Sequence, residues 1–355
     1  MKVLVVSNMG PKLSAPLQGG FVDKQVSRLK DSGLDISYFW LKWNGDSLIY
    51  KLFKYPVFFA CFFFKYILSS KRYDIIHIHF YFPTIICGLF YKVFKNKKVK
   101  ILVTCHGSDV YYYTPASWLY KKLSFIVDHW FFTSEKLYTR FFRKLENKTV
   151  LCAGYDDHLF INRNNDAHRE IDCIFVGALD YNKGVDRLKW LVEKLPAVSF
   201  SVVGSGPLKN ELECFSLSHE NLSVIGQKSP SELAQLLKQS KLLLSLSRKE
   251  SFGLVITEAH ACYTPCVVTE TDGSIAQLTG WPYMVIQNKD EQQTLDLLKS
   301  NVLDILSLDF NAYKVVQKCA NQRSKVYSLT NVISEIEKEY VKLYLSSKSG
   351  VKNVR

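Results

Sequence analysis

The chain has 355 residues, 47% hydrophobic and 22% charged, which suits two compact domains and excludes intrinsic disorder, a collagen repeat and a disulfide scaffold. Its 46 Lys+Arg against 33 Asp+Glu leave +13, and the excess is one-sided. Residues 1–155 carry 23 basic and 9 acidic side chains (+14), residues 156–355 carry 23 and 24 (−1), so the first half is built to face something anionic, a lipid headgroup surface or a nucleic acid.

The opening MKVLVVSNMG has too short an apolar run for a signal peptide and reads as a first buried strand, 3–7. A loop ending in Gly19-Gly20 leads into a helix from Gly20 to Gly33. From Leu48 to Leu68 the chain runs LIYKLFKYPVFFACFFFKYIL, interrupted by Lys51, Lys54 and Lys65 and by Pro56. That is too broken to span a bilayer, which takes about 20 apolar residues. Two readings fit it: an interfacial segment with aromatic rings at the headgroups and lysines on anionic phosphates, or a core helix between two strands. Further apolar runs predict strands at 74–80, 100–106, 130–134 and 149–154, with a helix around Trp118 to Ile126.

The polar stretch 158–172 reads as the boundary of a second domain. Strands then recur at 173–177, 200–204, 222–226, 241–247 and 265–270, with helices at 184–195, 230–240 and 254–263. An amphipathic helix is expected from Asn331 to Leu345, and the tail SSKSGVKNVR reads as disordered. This alternation predicts an α/β protein of two doubly wound domains with a cleft between them. The domains expected are 1–157, 170–328, and a last helix at 329–347. Nine cysteines without a Cys-x-x-Cys read as reduced, buried side chains in a cytosolic protein.

Candidate chemistry lies where ligands bind in open α/β sheets, past the carboxyl ends of strands. Gly19 and Gly20 stand before a helix whose first N–H groups can meet an anion. Gly-Gly before a helix also serves simply as a turn. His106, in Cys105-His106-Gly107-Ser108-Asp109, can hydrogen-bond a sugar hydroxyl or act as a capping residue. In Gly177-Ala178-Leu179-Asp180-Tyr181-Asn182-Lys183-Gly184, Lys183 can neutralise a diphosphate or sit solvated in a turn. Gly204 and Gly206 permit close backbone approach but lack the third glycine of a dinucleotide fingerprint.

The most specific segment is Ser247-Arg248-Lys249-Glu250-Ser251-Phe252-Gly253-Leu254-Val255-Ile256-Thr257-Glu258. Glu250 precedes a turn of small residues, and Glu258 lies two turns on along an otherwise apolar helix whose N-terminus favours an anion. Ribose hydroxyls would partner Glu258; a neighbouring Lys or Arg would do so equally.

With these motifs in this order the sequence resembles the family-4 retaining glycosyltransferases of the GT-B fold, over essentially the whole chain and most strongly from 173 to about 270. Glu250 and Glu258 match the family's Glu-x7-Glu pair. The resemblance implies two Rossmann-like domains facing each other across a cleft, with the final helix crossing back to the first. It implies that Glu250 meets the donor sugar, Glu258 the nucleotide ribose, and Ser251, Phe252, Gly253, Leu254 and Val255 the diphosphate. Lys183 matches the diphosphate-binding Lys, His106 the first-domain His near the transferred sugar, and Gly19 and Gly20 the glycine loop. Lys228, after Gly226-Gln227, falls where the family contacts the base, mainly through backbone. The implied substrates are a nucleotide sugar, UDP- or GDP-linked, and a lipid-linked saccharide, as in surface polysaccharide assembly on the inner face of the cytoplasmic membrane.

Two departures stand out. Ala178 replaces an Arg common in the family, leaving Lys249, Arg248 or Arg187 to supply a second diphosphate cation, and Tyr263 replaces a glycine, which would reshape a helix end. No Asp-x-Asp occurs, so no metal or other cofactor is expected, and the leaving phosphate itself would take the acceptor's proton. An inactive homologue acting as a membrane-surface scaffold is the alternative. A Rossmann-type enzyme would need the missing fingerprint, and nucleic-acid binding lacks a motif, so neither is expected.

Overall fold

In the computed structural model, residues 1–11, 19–42, 47–161 and 169–349 are described. The chain divides into two compact units, Met1–Ala153 with Leu329–Arg355, and Gly154–Ser328.

The first unit runs β1 (Lys2–Ser7), α1 (Gly20–Asp31), β2 (Asp35–Trp40), α2 (Leu48–Phe62), β3 (Ile75–His79), α3 (Tyr81–Phe94), β4 (Lys100–Cys105), α4 (Ser108–Tyr111), α5 (Trp118–Leu123), β5 (His129–Phe132), α6 (Glu135–Thr139) and β6 (Lys148–Val150). Its six strands are all parallel, in the order β2-β1-β3-β4-β5-β6. β1, β3 and β4 form the middle of the sheet, and every residue in them but Lys2 and Lys100 is buried, which is why they read as unbroken apolar runs. β2 does not stand out from the sequence: DISYFW is an edge strand buried at only two positions, so it carries no clean run. The ladder at the other edge ends at Val150, so only the start of 149–154 is a strand.

The segment 48–68 is a helix with one side in the core, as the second of its readings expects. α2 continues as a π-helical turn, Phe63–Ile67, and buries Phe58, Phe62, Tyr66 and Ile67. Phe39 stacks on Phe58 at 5.1 Å and meets Tyr66 edge-on at 5.3 Å. The outer side leaves Leu48, Ile49, Leu52, Phe53, Phe64 and Leu68 exposed.

The second unit runs β7 (Ile171–Val176), α7 (Val185–Lys194), β8 (Phe200–Val203), α8 (Lys209–Ser216), β9 (Leu222–Gly226), α9 (Pro230–Gln239), β10 (Ser240–Ser245), α10 (Leu254–Ala261), β11 (Cys266–Thr269), α11 (Asp272–Leu278), β12 (Met284–Val285), α12 (Glu291–Leu306) and α13 (Phe310–Ser324). Its parallel sheet has the order β12-β11-β10-β7-β8-β9, the doubly wound order in which the strand sequence reverses between β7 and β10. β12 is two residues long, below what a sequence pattern can mark.

The division falls at Ala153/Gly154, earlier than the expected boundary at 157. Tyr155 donates its N–H to Tyr327 O at 3.1 Å and Phe160 is buried in the second core, so 154–160 belong to that unit. The last helix, α14 (Leu329–Ser349), is longer than the sequence pattern suggests and takes in residues of the expected tail; 350–355 lie outside the described residues. α14 packs on the first unit, where the Tyr340 hydroxyl lies 2.7 Å from His77 Nδ1. All nine cysteines are free, with Cys61, Cys214 and Cys319 exposed rather than buried. Among the described residues no helix is long and apolar enough to cross a membrane.

Candidate active site

In the second unit the sequence-predicted residues converge on the carboxyl ends of β7 and β10, the two strands at which the order reverses. The loop after β7 turns at Asp180, whose carboxylate accepts the Lys183 N–H at 2.8 Å. Gly184 then caps α7 at φ 82°; a Cβ there would lie 2.3 Å from Leu246 O, so glycine lets this loop close onto β10. The Lys183 side chain runs past Gly177 and its ammonium pairs with Glu250 Oε2. The two residues expected at the diphosphate and at the sugar are therefore in direct contact.

The loop carrying Glu250 is fixed from two sides. Arg248 N–H bonds Asn182 O at 2.7 Å, and Asn182 Nδ2 donates to Lys249 O at 3.1 Å. On the other side Gly273 N–H bonds Glu250 O at 2.9 Å, and Gln277 Nε2 donates to the carbonyl of buried Phe252. Gly253 caps α10 at φ 82°, with no side-chain cap and no acidic residue in the first turn. The positive end of that helix is thus not offset locally, which favours an anion there. Ser251, Leu254 and Val255 are half-buried around this helix start. Glu258, also half-buried, is one turn along from Leu254, and residues four apart share a helix face.

Three further predicted residues have contacts of their own. A Cβ at Gly204 would lie 1.9 Å from Gly177 O, and one at Gly206 2.6 Å from Leu179 N and O. These glycines let the β8 loop join the β7 loop, through Leu179 N–H to Ser205 O at 3.0 Å and Leu208 N–H to Leu179 O at 2.9 Å. Lys228, in the loop before α9, pairs with Glu232 of that helix at 3.6 Å.

The replacement cation is narrowed. Arg187, buried, donates to Glu291 at 2.7 and 3.0 Å, to Gln287 at 2.9 Å and to Leu246 O at 2.9 Å. Arg248 donates to Asp186 at 2.9 and 2.7 Å, to Glu291 at 3.0 Å and to Tyr181 O at 2.7 Å. Hydrogen bonding from Arg187 holds the Glu291 carboxyl below its usual range. Both guanidiniums are engaged by carboxylates, which leaves Lys249, exposed beside Glu250. Tyr263 keeps the left-handed turn a glycine would make, at φ 59°, so the end of α10 is not reshaped. Buried Arg169 holds that turn, donating to Cys262 O at 3.1 Å and Tyr263 O at 3.0 Å.

In the first unit Gly19 caps α1 at φ 66°, and a Cβ on Gly20 would meet none of the described residues within 4 Å; residues 12–18 of that loop lie outside the described residues. α1 brings Phe21 to 4.9 Å from the His106 ring, so the glycine loop and His106 share one end of the sheet. Buried Asp109 organises this corner, accepting the N–H groups of His106 at 3.0 Å, Gly107 at 2.9 Å and Tyr81 at 2.7 Å. Burial holds the His106 pKa well below its usual value, with His79 adding to it. His79 lies 3.0 Å from His106 and is absent from the sequence-based selection; the alternation in DIIHIHF, which puts two His on one face at a strand end, was the available signal. Among the described residues no group of three or more His, Cys, Asp or Glu could hold a metal ion.

Comparison with known proteins decides the family. Residues 157–301 match the family described as Glycosyl transferases group 1, and residues 44–145 match Glycosyltransferase Family 4. The chain belongs to the family-4 glycosyltransferases. An uncharacterised glycosyltransferase of Methanocaldococcus jannaschii is 25% identical over 289 residues, 79% of this chain and 78% of that protein. Among solved structures, Anabaena HepE in complex with UDP superposes with a TM-score of 0.71 at 15% identity, covering 96% of this chain and 100% of that one. WaaG, a glycosyltransferase involved in lipopolysaccharide biosynthesis, superposes with a TM-score of 0.64 at 12% identity, covering 94% and 98%. The fold of this glycosyltransferase is GT-B, with a Rossmann-like sheet in each unit.

Proposed function

We propose that this glycosyltransferase moves a hexose, with retention and without a metal ion, from a UDP- or GDP-linked donor to a lipid-linked saccharide in the synthesis of lipopolysaccharide, O-antigen or capsule. The observation that carries the reading is the meeting of Lys183 and Glu250 beside the N-terminus of α10. A donor diphosphate would take the Lys183 ammonium and the α10 amides, leaving the Glu250 carboxylate to accept hydrogen bonds from the sugar hydroxyls. Glu258 would accept from the ribose. Negative charge on the departing nucleoside diphosphate would be stabilised by fixed dipoles and one ammonium, groups already in place before the reaction. HepE, bound to UDP, and WaaG, in lipopolysaccharide biosynthesis, support the donor and pathway classes.

Membrane association at the inner face of the cytoplasmic membrane is part of the same proposal. Residues 47–108 hold ten Lys and Arg against a single acid, Asp74. Where α2 and α3 end, Phe63 meets Phe94 at 5.9 Å, and Phe64, Leu68, Val93 and Phe94 are exposed near Lys95, Lys97 and Lys98. Exposed rings and aliphatic groups ringed by lysines suit the boundary of an anionic bilayer.

The experiment that tests the donor reading is a thermal-shift screen of nucleoside diphosphates and nucleotide sugars, followed by transfer assays with the ligands that stabilise. A ligand at about 100 times its Kd adds roughly 2.7 kcal/mol. Stabilisation by neither UDP nor GDP species would sink the reading and favour a scaffold role.

A further inference from the structure

Glu291 opens α12, at a helix start where the Asp290 carboxylate accepts the Gln292 N–H at 3.0 Å. Its own carboxylate receives a guanidinium from each of the two loops that carry Lys183 and Glu250. Arg187, one turn of α7 beyond Lys183, donates from Nε to Oε1 at 2.7 Å and from Nη2 to Oε2 at 3.0 Å. Arg248, two residues before Glu250, donates from Nη2 to Oε1 at 3.0 Å. The two arginines therefore meet on one oxygen.

Beyond Glu291 each arginine ties its loop to the other strand's loop. Arg187 reaches across to Leu246 O, at the end of β10, at 2.9 Å. Arg248 reaches back to Tyr181 O at 2.7 Å, lies 3.7 Å over the Tyr181 ring, and holds both oxygens of Asp186 at 2.9 and 2.7 Å. Gln287, four residues before Glu291, closes the joint: it accepts from Arg187 at 2.9 Å and donates to Arg248 O at 3.2 Å and Glu270 O at 2.5 Å. Asp186 bonds Arg248 alone, whereas Glu291 bonds both guanidiniums. Charge-assisted bonds of this kind fix orientation as well as energy. With its side chain only 2% exposed, Arg187 has little water to replace a lost carboxylate.

We propose that Glu291 is a positioning residue for sugar transfer: by holding Arg187 and Arg248 together it sets the separation between the Lys183 ammonium and the Glu250 carboxylate. That these two groups receive the diphosphate and the sugar rests on the proposed function; the hold on the two loops does not. A misplacement of about 1 Å costs on the order of a hundredfold in rate, so a residue that acts only through its two arginines has a large effect.

The test compares full-length wild type with Glu291→Gln, which keeps the length of the side chain and gives up its charge and one acceptor oxygen. Donor kcat/KM should fall roughly thirtyfold, with acceptor KM unchanged. In a Lys183→Ala background the same change should cost about threefold, because the place of an absent ammonium no longer matters. An unchanged kcat/KM in the single variant, or the full loss repeated in that background, would overturn the proposal. A second measurement needs no donor: limited acetylation with acetic anhydride, read by mass spectrometry at Lys183 against exposed Lys194. Lys183, held by Glu250, should label slowly in wild type, and faster in both Glu250→Gln and Glu291→Gln. Wild-type labelling in Glu291→Gln would overturn the proposal whatever the donor is. Faster labelling in a protein that binds no UDP or GDP species would keep the hold of Glu291 on the two loops and overturn the donor reading alone. If Glu291→Gln does not fold, Arg248→Met takes its place, cutting the same link while leaving buried Arg187 its carboxylate.

Discussion

Replacing Glu250 by Gln should move two measurements in opposite directions. Lys183 and Glu250 are 27% and 19% exposed, and a pair so placed contributes up to about 1 kcal/mol. Removing the carboxylate frees the ammonium for a diphosphate, so UDP or GDP should bind up to about fivefold more tightly. Transfer should fall. A hydrogen bond to a charged group is worth about 1.5–3 kcal/mol, and losing two to the sugar, about 4 kcal/mol, is roughly a thousandfold in kcat/KM. The fold should survive, because the contact that ties this residue to α11 uses its backbone carbonyl, Gly273 N–H to Glu250 O at 2.9 Å. Calorimetric titration with the nucleoside diphosphate, beside a transfer assay on the same preparation, reads both effects. Weaker diphosphate binding in the variant would refute the idea that Glu250 competes for Lys183, and undiminished transfer would refute its contact with the sugar.

Other expectations follow from separate features. EDTA should leave the transfer rate unchanged, and a rate restored only by added Mn²⁺ or Mg²⁺ would contradict the metal-free reading. Anionic vesicles should bind the protein at low salt and release it at high salt, with Phe64→Ser and Phe94→Ser weakening the binding; equal binding to neutral vesicles would remove the role of the lysines. Gly204→Ala should destabilise the protein by at least about 3 kcal/mol, since the new methyl group would stand 1.9 Å from Gly177 O, and a chemical denaturation midpoint like wild type would show that the two loops do not close together. Gly20→Ala meets none of the described residues at the start of α1 and should be neutral to stabilising by about 0.5–1 kcal/mol, so lost activity in that variant would come from crowding of a ligand; destabilisation would show that the loop packs here.

The legible parts of this molecule are those decided by local sequence. β3, β4 and β10 are interior strands whose apolar runs need no partner to be recognised, and Glu250 and Glu258 are marked by spacing within one loop and helix. What sequence could not show is which distant group each side chain meets. Arg187 and Arg248 looked available for a diphosphate because their carboxylate, Glu291, lies on α12, far along the chain. The close packing at Gly204 and Gly206 was hidden because the backbone atoms that exclude a Cβ belong to the β7 loop. Likewise, nothing near Gly253 announces that Gln277 of α11 anchors the turn before it.

The engagement of Arg187 and Arg248 bears on how the site works with Ala178 in place of an arginine. Their acceptors, Leu246 O, Tyr181 O, Asp186 and Glu291, belong to the end of β10, the loop carrying Lys183, the start of α7 and the start of α12. Charge that would otherwise be offered to the donor is spent on fixing the two loops that carry Lys183 and Glu250 against each other. A cation at the diphosphate attracts whatever anion is present, whereas a rigid pair of loops favours only a ligand that fits both groups at once. With the Lys183 ammonium, an exposed Lys249 and a helix N-terminus worth up to about 2 kcal/mol, such a site would hold free phosphate weakly. On the proposed roles it would gain its affinity when a sugar hydroxyl reaches Glu250 as the diphosphate reaches Lys183, and selectivity for the intact nucleotide sugar would follow from the missing arginine.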